Sequence, residues 1–96
     1  MLDDSVLEVR LAAAEQLGRL GDTTGQPEVL DVFEKKLLEG LDASGKERAG
    51  VLTALAIGAI GTPQLLEHLP ELLNSESKLV QIAAARAVLQ RHPKTK

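Results

Sequence analysis

Histidine is the side chain best suited to hold a metal or move a proton near neutral pH, and the chain has two, His68 and His92. They lie 24 residues apart, and neither belongs to the His-x3-His or His-Glu-x2-His spacing that sets two ligands on one helical face. Glu67 beside His68 would be half of a metal site. Adjacent helix positions point in different directions, so a solvated helix surface is the plainer reading. Gly18 with Gly21, and Gly58 with Gly61, are glycine pairs of a kind that can cradle phosphate. Neither pair follows a strand or opens a helix in a G-x-G-x-x-G arrangement, and helix ends and close helix packing explain them better. No motif pairs a serine or threonine with a histidine as nucleophile and base. Without cysteine there is neither a thiolate ligand nor a disulfide. The expectation is a chain with no catalytic residue, no metal site and no cofactor.

Charge narrows the range of partners. A formal net charge of −3 argues against nucleic acid, whose binding needs a basic surface to displace counterions. Phe33 is the only aromatic residue, so there is little on which bases could stack. Residues 1–48 hold 11 acidic and 6 basic side chains, whereas residues 49–96 hold 3 and 5. The cations Lys78, Arg86, Arg91, Lys94 and Lys96 gather at the C-terminal end, with no acid after Glu76. They fit an acidic partner or, more simply, cations favoured near a helix C-terminus with a solvated tail.

The elements that position these residues are helices in repeated order. VRLAAAEQLGRLG (residues 9–21) aligns with AGVLTALAIGAIG (49–61) at an offset of 40 and with VQIAAARAVLQRH (80–92) at an offset of 71; these are B-type helices. Between them, PEVLDVFEKKLL (27–38) aligns with PQLLEHLPELLN (63–74) at an offset of 36; these are A-type. In the A-type segments Val29, Leu30, Phe33 and Leu37 correspond to Leu65, Leu66, Leu69 and Leu73, one apolar helix face. Caps and stops agree: Asp3, Asp4 or Ser5 before the first helix, Ser44 before the third, Asn74 or Ser75 before the fifth, and Gly21, Gly40 and Gly61 after helices. Helices are predicted at residues 4–20, 27–40, 45–60, 63–74 and 76–91. The third is apolar nearly all round, Thr53 being its one polar residue over 49–61, so it belongs in the middle of the stack, with Leu52 and Leu55 as candidate core residues. The first is amphipathic, with Val6, Val9, Ala13, Leu17 and Leu20 in one stripe. The fifth is more apolar than a terminal helix needs to be.

On these residues the chain resembles HEAT-like repeat proteins. DDSVLEVRLAAAEQLGRLGD resembles the second helix of a HEAT repeat, of the short kind also found in phycobilin lyases. QLLEHLPELLNSESKLVQIAAARAVLQ resembles a complete repeat, with Pro70 where the family often carries a kinking proline. The resemblance covers nearly the whole chain. It implies an all-α fold, an α-solenoid of five helices in a right-handed superhelical stack, whose B helices line a concave side. The family often stacks an intra-repeat aspartate and a B-helix arginine into a ladder. Asp4 and Arg10 match that pattern, but Gly50 and Gln81 stand at the positions equivalent to Arg10, which leaves cohesion to apolar packing.

The expected organisation is a single domain over residues 1–96: a B helix at 4–21, a repeat at 27–61 and a repeat at 63–92. Its expected function is a non-catalytic protein–protein interaction scaffold. The alternative is a structural or regulatory segment of a larger enzyme such as a lyase-like subunit. Alignment of the B helices gives three rows: Glu8, Arg48 and Leu79; Glu15, Leu55 and Arg86; Arg19, Ala59 and Gln90. The expected protein-binding residues are Glu8, Glu15, Arg19, Arg48, Arg86 and Gln90, with ordinary solvated helix as the competing reading. Leu55 is either core or the centre of that surface. The first helix lacks an A-type partner and the fifth is too apolar for a cap, so association through both is expected, with missing parts of the protein or with a second copy, head to tail or two-fold. The longest apolar run, residues 49–61, is too short to cross a bilayer. The opening MLDDSVLEVR is unlike a secretory signal. The expected compartment is the cytoplasm.

Overall fold

The computed structural model describes residues 4–91, with the side chains of residues 6–89. Among them, regular structure is helical throughout: α1 (Asp4–Arg19), α2 (Gln26–Glu34), a 3-10 turn (Leu37–Gly40), α3 (Ala43–Ile60), α4 (Pro63–Leu66), α5 (Leu69–Leu73) and α6 (Lys78–Arg91). The B, A, B, A, B order holds, but each A-type segment is in two pieces. His92, Lys94 and Lys96 lie outside the described residues, as do the side chains of Asp4, Ser5 and Arg91.

Pro70 explains the second break. It has no N–H for the Leu66 carbonyl, and its ring crowds the preceding turn, so the helix pauses at Glu67 and His68. It restarts with Pro70 in its first turn, where the missing N–H costs nothing. The first break falls at Lys36, which takes the left-handed conformation (φ 52°, ψ 45°) and turns Leu37, Leu38 and Leu41 against the core. A lysine there carries steric strain that glycine would not. Lys36→Gly is therefore expected to raise stability by about 0.5–1 kcal/mol, after the greater freedom of glycine in the unfolded chain is subtracted. Urea titration would measure it.

The helix starts differ from the expected caps. Asp42 caps α3, its carboxylate accepting from the Gly45 N–H at 2.7 Å, while Ser44 lies inside the first turn and accepts from Arg48. An Asp three residues before a free N–H reaches it with better geometry than a residue already within the helix. Ser77 opens α6: its hydroxyl accepts from the Val80 N–H and donates to Glu47 at 2.6 Å. Ser75 serves one step earlier, accepting from the Ser77 N–H. Asp22 closes the turn after α1, and hydrogen bonds from the backbone and side chain of Thr24 hold its carboxyl below the ordinary carboxylate range.

The three B-type helices run parallel. Near their N-terminal ends Glu8 meets Arg48 and Glu47 meets Ser77; near the C-terminal ends Gly18 lies against Ile60. The A-type segments form a second layer, α2 against α1 and α3, α5 against α6 and α3. The shortest dimension, 18 Å, matches two layers of helices about 10 Å apart. Between the layers sit Leu7, Leu11, Val29, Val32, Ile57, Leu65, Leu69, Leu72 and Val80. Phe33 stacks on His68, ring centroids 4.2 Å apart, and ties α2 to the break between α4 and α5.

As expected, α3 is central, with ten of its 18 residues buried. The Thr53 hydroxyl is satisfied by the Ala49 carbonyl at 2.7 Å. Leu52 and Leu55 are only half-buried, because the contacts of α3 with its neighbours run through small residues such as Ala49, Gly50, Ala54 and Ala56 and leave the leucines at the margins. The α1 stripe also needs correcting. Val6, Val9, Ala13 and Leu20 are exposed and Leu17 half-buried; the covered face is Leu7, Leu11, Ala14 and Gly18, an equally good helical period.

Candidate protein-binding face

The predicted row Glu8, Arg48 and Leu79 is realised at its first step as an ion pair, Arg48 Nε to Glu8 at 2.8 Å, across the 40-residue offset. Arg48 also donates to the Ser44 hydroxyl at 2.7 Å. These two charges hold α1 to α3 and are occupied with each other, while Leu79 is exposed. Arg10, the ladder candidate, stands 3.8 Å from Glu28 in an exposed pair. Exposed pairs of this kind contribute at most about 1 kcal/mol each, in line with cohesion by apolar packing.

The other two rows converge. Glu15, Arg19, Leu55, Ala59 and Arg86 line a single cleft of about 340 Å³ across α1, α3 and α6. Its floor is alanine, with Ala54, Ala59, Ala83 and Ala87 all buried. Leu55 lies half-buried within it. Glu15 is deeper than its expected surface role implies, only 7% exposed, and its carboxylate accepts two hydrogen bonds from Arg19, at 2.8 and 3.1 Å. The Arg19 guanidinium, on the rim, therefore neutralises it. Arg86, on the facing wall, is exposed and makes no ion pair among the described residues. Gln90 sits on α6, but its side chain lies outside the described residues. Sequence reasoning misses the alanine floor as a functional feature, although the recurring alanines of the second and third B helices carry its signal.

A larger groove of about 940 Å³ opens where α3 and α6 begin, beside the 3-10 turn. Lys36 and Lys46 share its walls with Glu39, Glu47, Glu71 and Glu76, so charges of both signs are spread without converging. Glu47 is already engaged by Ser77. His68 is half-buried, stacked on Phe33 and 2.8 Å from Glu71. It is thus a packing residue more than a solvated one, and no group of three or more acids and histidines that could hold a metal ion occurs among the described residues. No described helix is long and apolar enough to cross a membrane.

Residues 9–42 match the family described as the PBS lyase HEAT-like repeat. The span takes in most of α1, all of α2 and the turn up to the cap of α3. The segment from Gln64 onward that resembles a complete repeat lies outside it. No curated protein and no solved structure matches the chain.

Proposed function

As a HEAT-like repeat protein, this chain is one for which we propose a non-catalytic role: a protein–protein interaction scaffold, built as a short right-handed α-solenoid whose B helices present the working face. The observation that carries the reading is the cleft on which residues from all three B helices converge, with an alanine floor and arginines on opposite walls. Small side chains on the floor leave room for a partner's apolar groups. Arg86 offers a fork of donors to a carboxylate, and Arg19 shields Glu15 from repelling it. An extended face of this kind is the usual use of repeat stacking.

The family's name favours one further reading, a structural or regulatory segment of a larger lyase-like enzyme. In that case the same face would dock the rest of the enzyme, and the chemistry would lie elsewhere.

A photoreactive benzoyl-phenylalanine placed at Leu55 tests the face directly. In cells it is expected to give a discrete covalent adduct that disappears when Arg86→Glu is added. The same probe at Gln64, exposed on α4 in the other layer, is expected to give none. Adducts of equal yield from both positions, insensitive to Arg86, would remove the support for this face.

A further inference from the structure

The outer B-type helices each leave an apolar stripe uncovered, Val6 and Val9 on α1 with Leu20 in the turn that ends it, and Leu79, Ile82 and Leu89 on α6. We propose that these stripes are the two halves of one interface, α6 of one copy packing on α1 of the next, so that copies join head to tail. This goes beyond the cleft and does not rest on it.

The registry of the contacts inside the chain carries the argument. Where α1 meets α3, Gly18 lies against Ile60. The B-helix offsets carry Gly18 forward to Leu89 on α6, and Ile60 back to Leu20, the residue after the last of α1. A junction with the same registry as that contact thus sets Leu89 against the next copy's Leu20, which are 62% and 82% exposed. Where α3 meets α6, Gly50 lies against Val80. The equivalent pair is Gln81 with the next copy's Val9, which is 67% exposed and comes to lie beside Ile82 at 56%. The exposed stripes are therefore the same faces through which α3 holds its neighbours. Leucine at the position of Gly18 makes the junction wider than the internal contacts, and so weaker.

Charge favours a second copy and a polar arrangement. The half of the chain bearing α1 carries 11 acids to 6 bases and the half bearing α6 carries 3 to 5, so head-to-tail joining sets halves of opposite net sign beside each other, although the described charges on α1 itself, Glu8, Arg10, Glu15 and Arg19, balance. A two-fold pairing would bring like signs together, which opposes association. A head-to-tail contact does not close unless its rotation closes, so it extends beyond a dimer. One pair of stripes buries less than the roughly 1,200 Å² of a stable interface, and the association is expected to be weak.

Sedimentation equilibrium of the full chain over a concentration series up to about 1 mM, a range suited to weak interfaces, tests this with two variants, Leu20→Asp and Leu89→Asp. Both sites are exposed, and melting curves would check that each variant stays folded. The wild-type average mass is expected to climb past twice 10.2 kDa. Each variant alone is expected to remain a monomer, because it has lost one face. An equimolar mixture is expected to form a dimer and stop there, since the variants retain complementary faces. A wild type that stays monomeric throughout would overturn the proposal. So would a single variant that dimerises alone, which would mean two-fold pairing through the face it keeps.

Discussion

Replacing Leu11 with alanine is expected to lower the free energy of unfolding by about 3 kcal/mol, while replacing Leu20, in the turn that ends the same helix, is expected to change it by less than about 0.5 kcal/mol. Both are leucines, and their positions in the apolar pattern of α1 look equally good. Leu11 is fully enclosed between the helix layers and Leu20 is mostly in solvent. Truncating Leu11 removes the transfer energy of its side chain and leaves a cavity that the tightly packed Ala14, Val29 and Ile57 around the core cannot fully close. A domain of this size has a total stability of roughly 5–14 kcal/mol, so the loss would lower the melting temperature by on the order of 15 °C. Urea unfolding of both variants measures the difference. Equal losses would mean that α1 is rotated from the orientation described.

Gly18→Ala is expected to be the next most damaging single change, at about 2 kcal/mol. On helix propensity alone alanine should stabilise α1 by roughly 1 kcal/mol. A Cβ at residue 18, however, would come within 2.9 Å of the Ala59 carbonyl carbon and the Ile60 nitrogen, and 2.8 Å from an Ile60 side-chain carbon. Backbone atoms cannot rotate aside as side chains can, so α1 and α3 must separate, and overpacking against backbone costs about 3 kcal/mol, the upper end of its usual range, which exceeds the propensity gain by about 2 kcal/mol. The control is Gly40→Ala, whose added methyl meets nothing within 4 Å and is expected to be neutral within about 0.5 kcal/mol. A Gly18→Ala chain as stable as the Gly40→Ala chain would show that the two helices are not in close contact there.

The repeat alignment was the most legible part of the sequence, because an offset is preserved only if equivalent residues do equivalent packing. It anticipated that Glu8 and Arg48 would be neighbours, and that Glu15, Leu55 and Arg86 would lie in one row. The break before Pro70 was half legible, since proline's missing donor is a local property. The break at Lys36 was not: its neighbours Glu34, Lys35 and Leu37 all favour helix, and the left-handed turn is recovered through the burial of Leu37, Leu38 and Leu41, which is not local. Nor could periodicity choose between the two apolar faces of α1. Both satisfy the helical repeat, and only the position of α3 decides which one is covered. The depth of Glu15 depends likewise on Arg19 folding back over it and on the alanine floor beside it. Charged residues are seldom buried unless paired, so the sequence alone favoured a surface position.

That one face, made by three parallel helices, carries the binding is tested most directly by chemical-shift mapping of the isotope-labelled chain against the partner recovered at position 55. The expected result is that the largest shifts fall on Arg19, Leu55, Ala59, Ala83 and Arg86, with α2 and α5 unmoved. Largest shifts on α2 and α5, with the cleft residues unchanged, would contradict it.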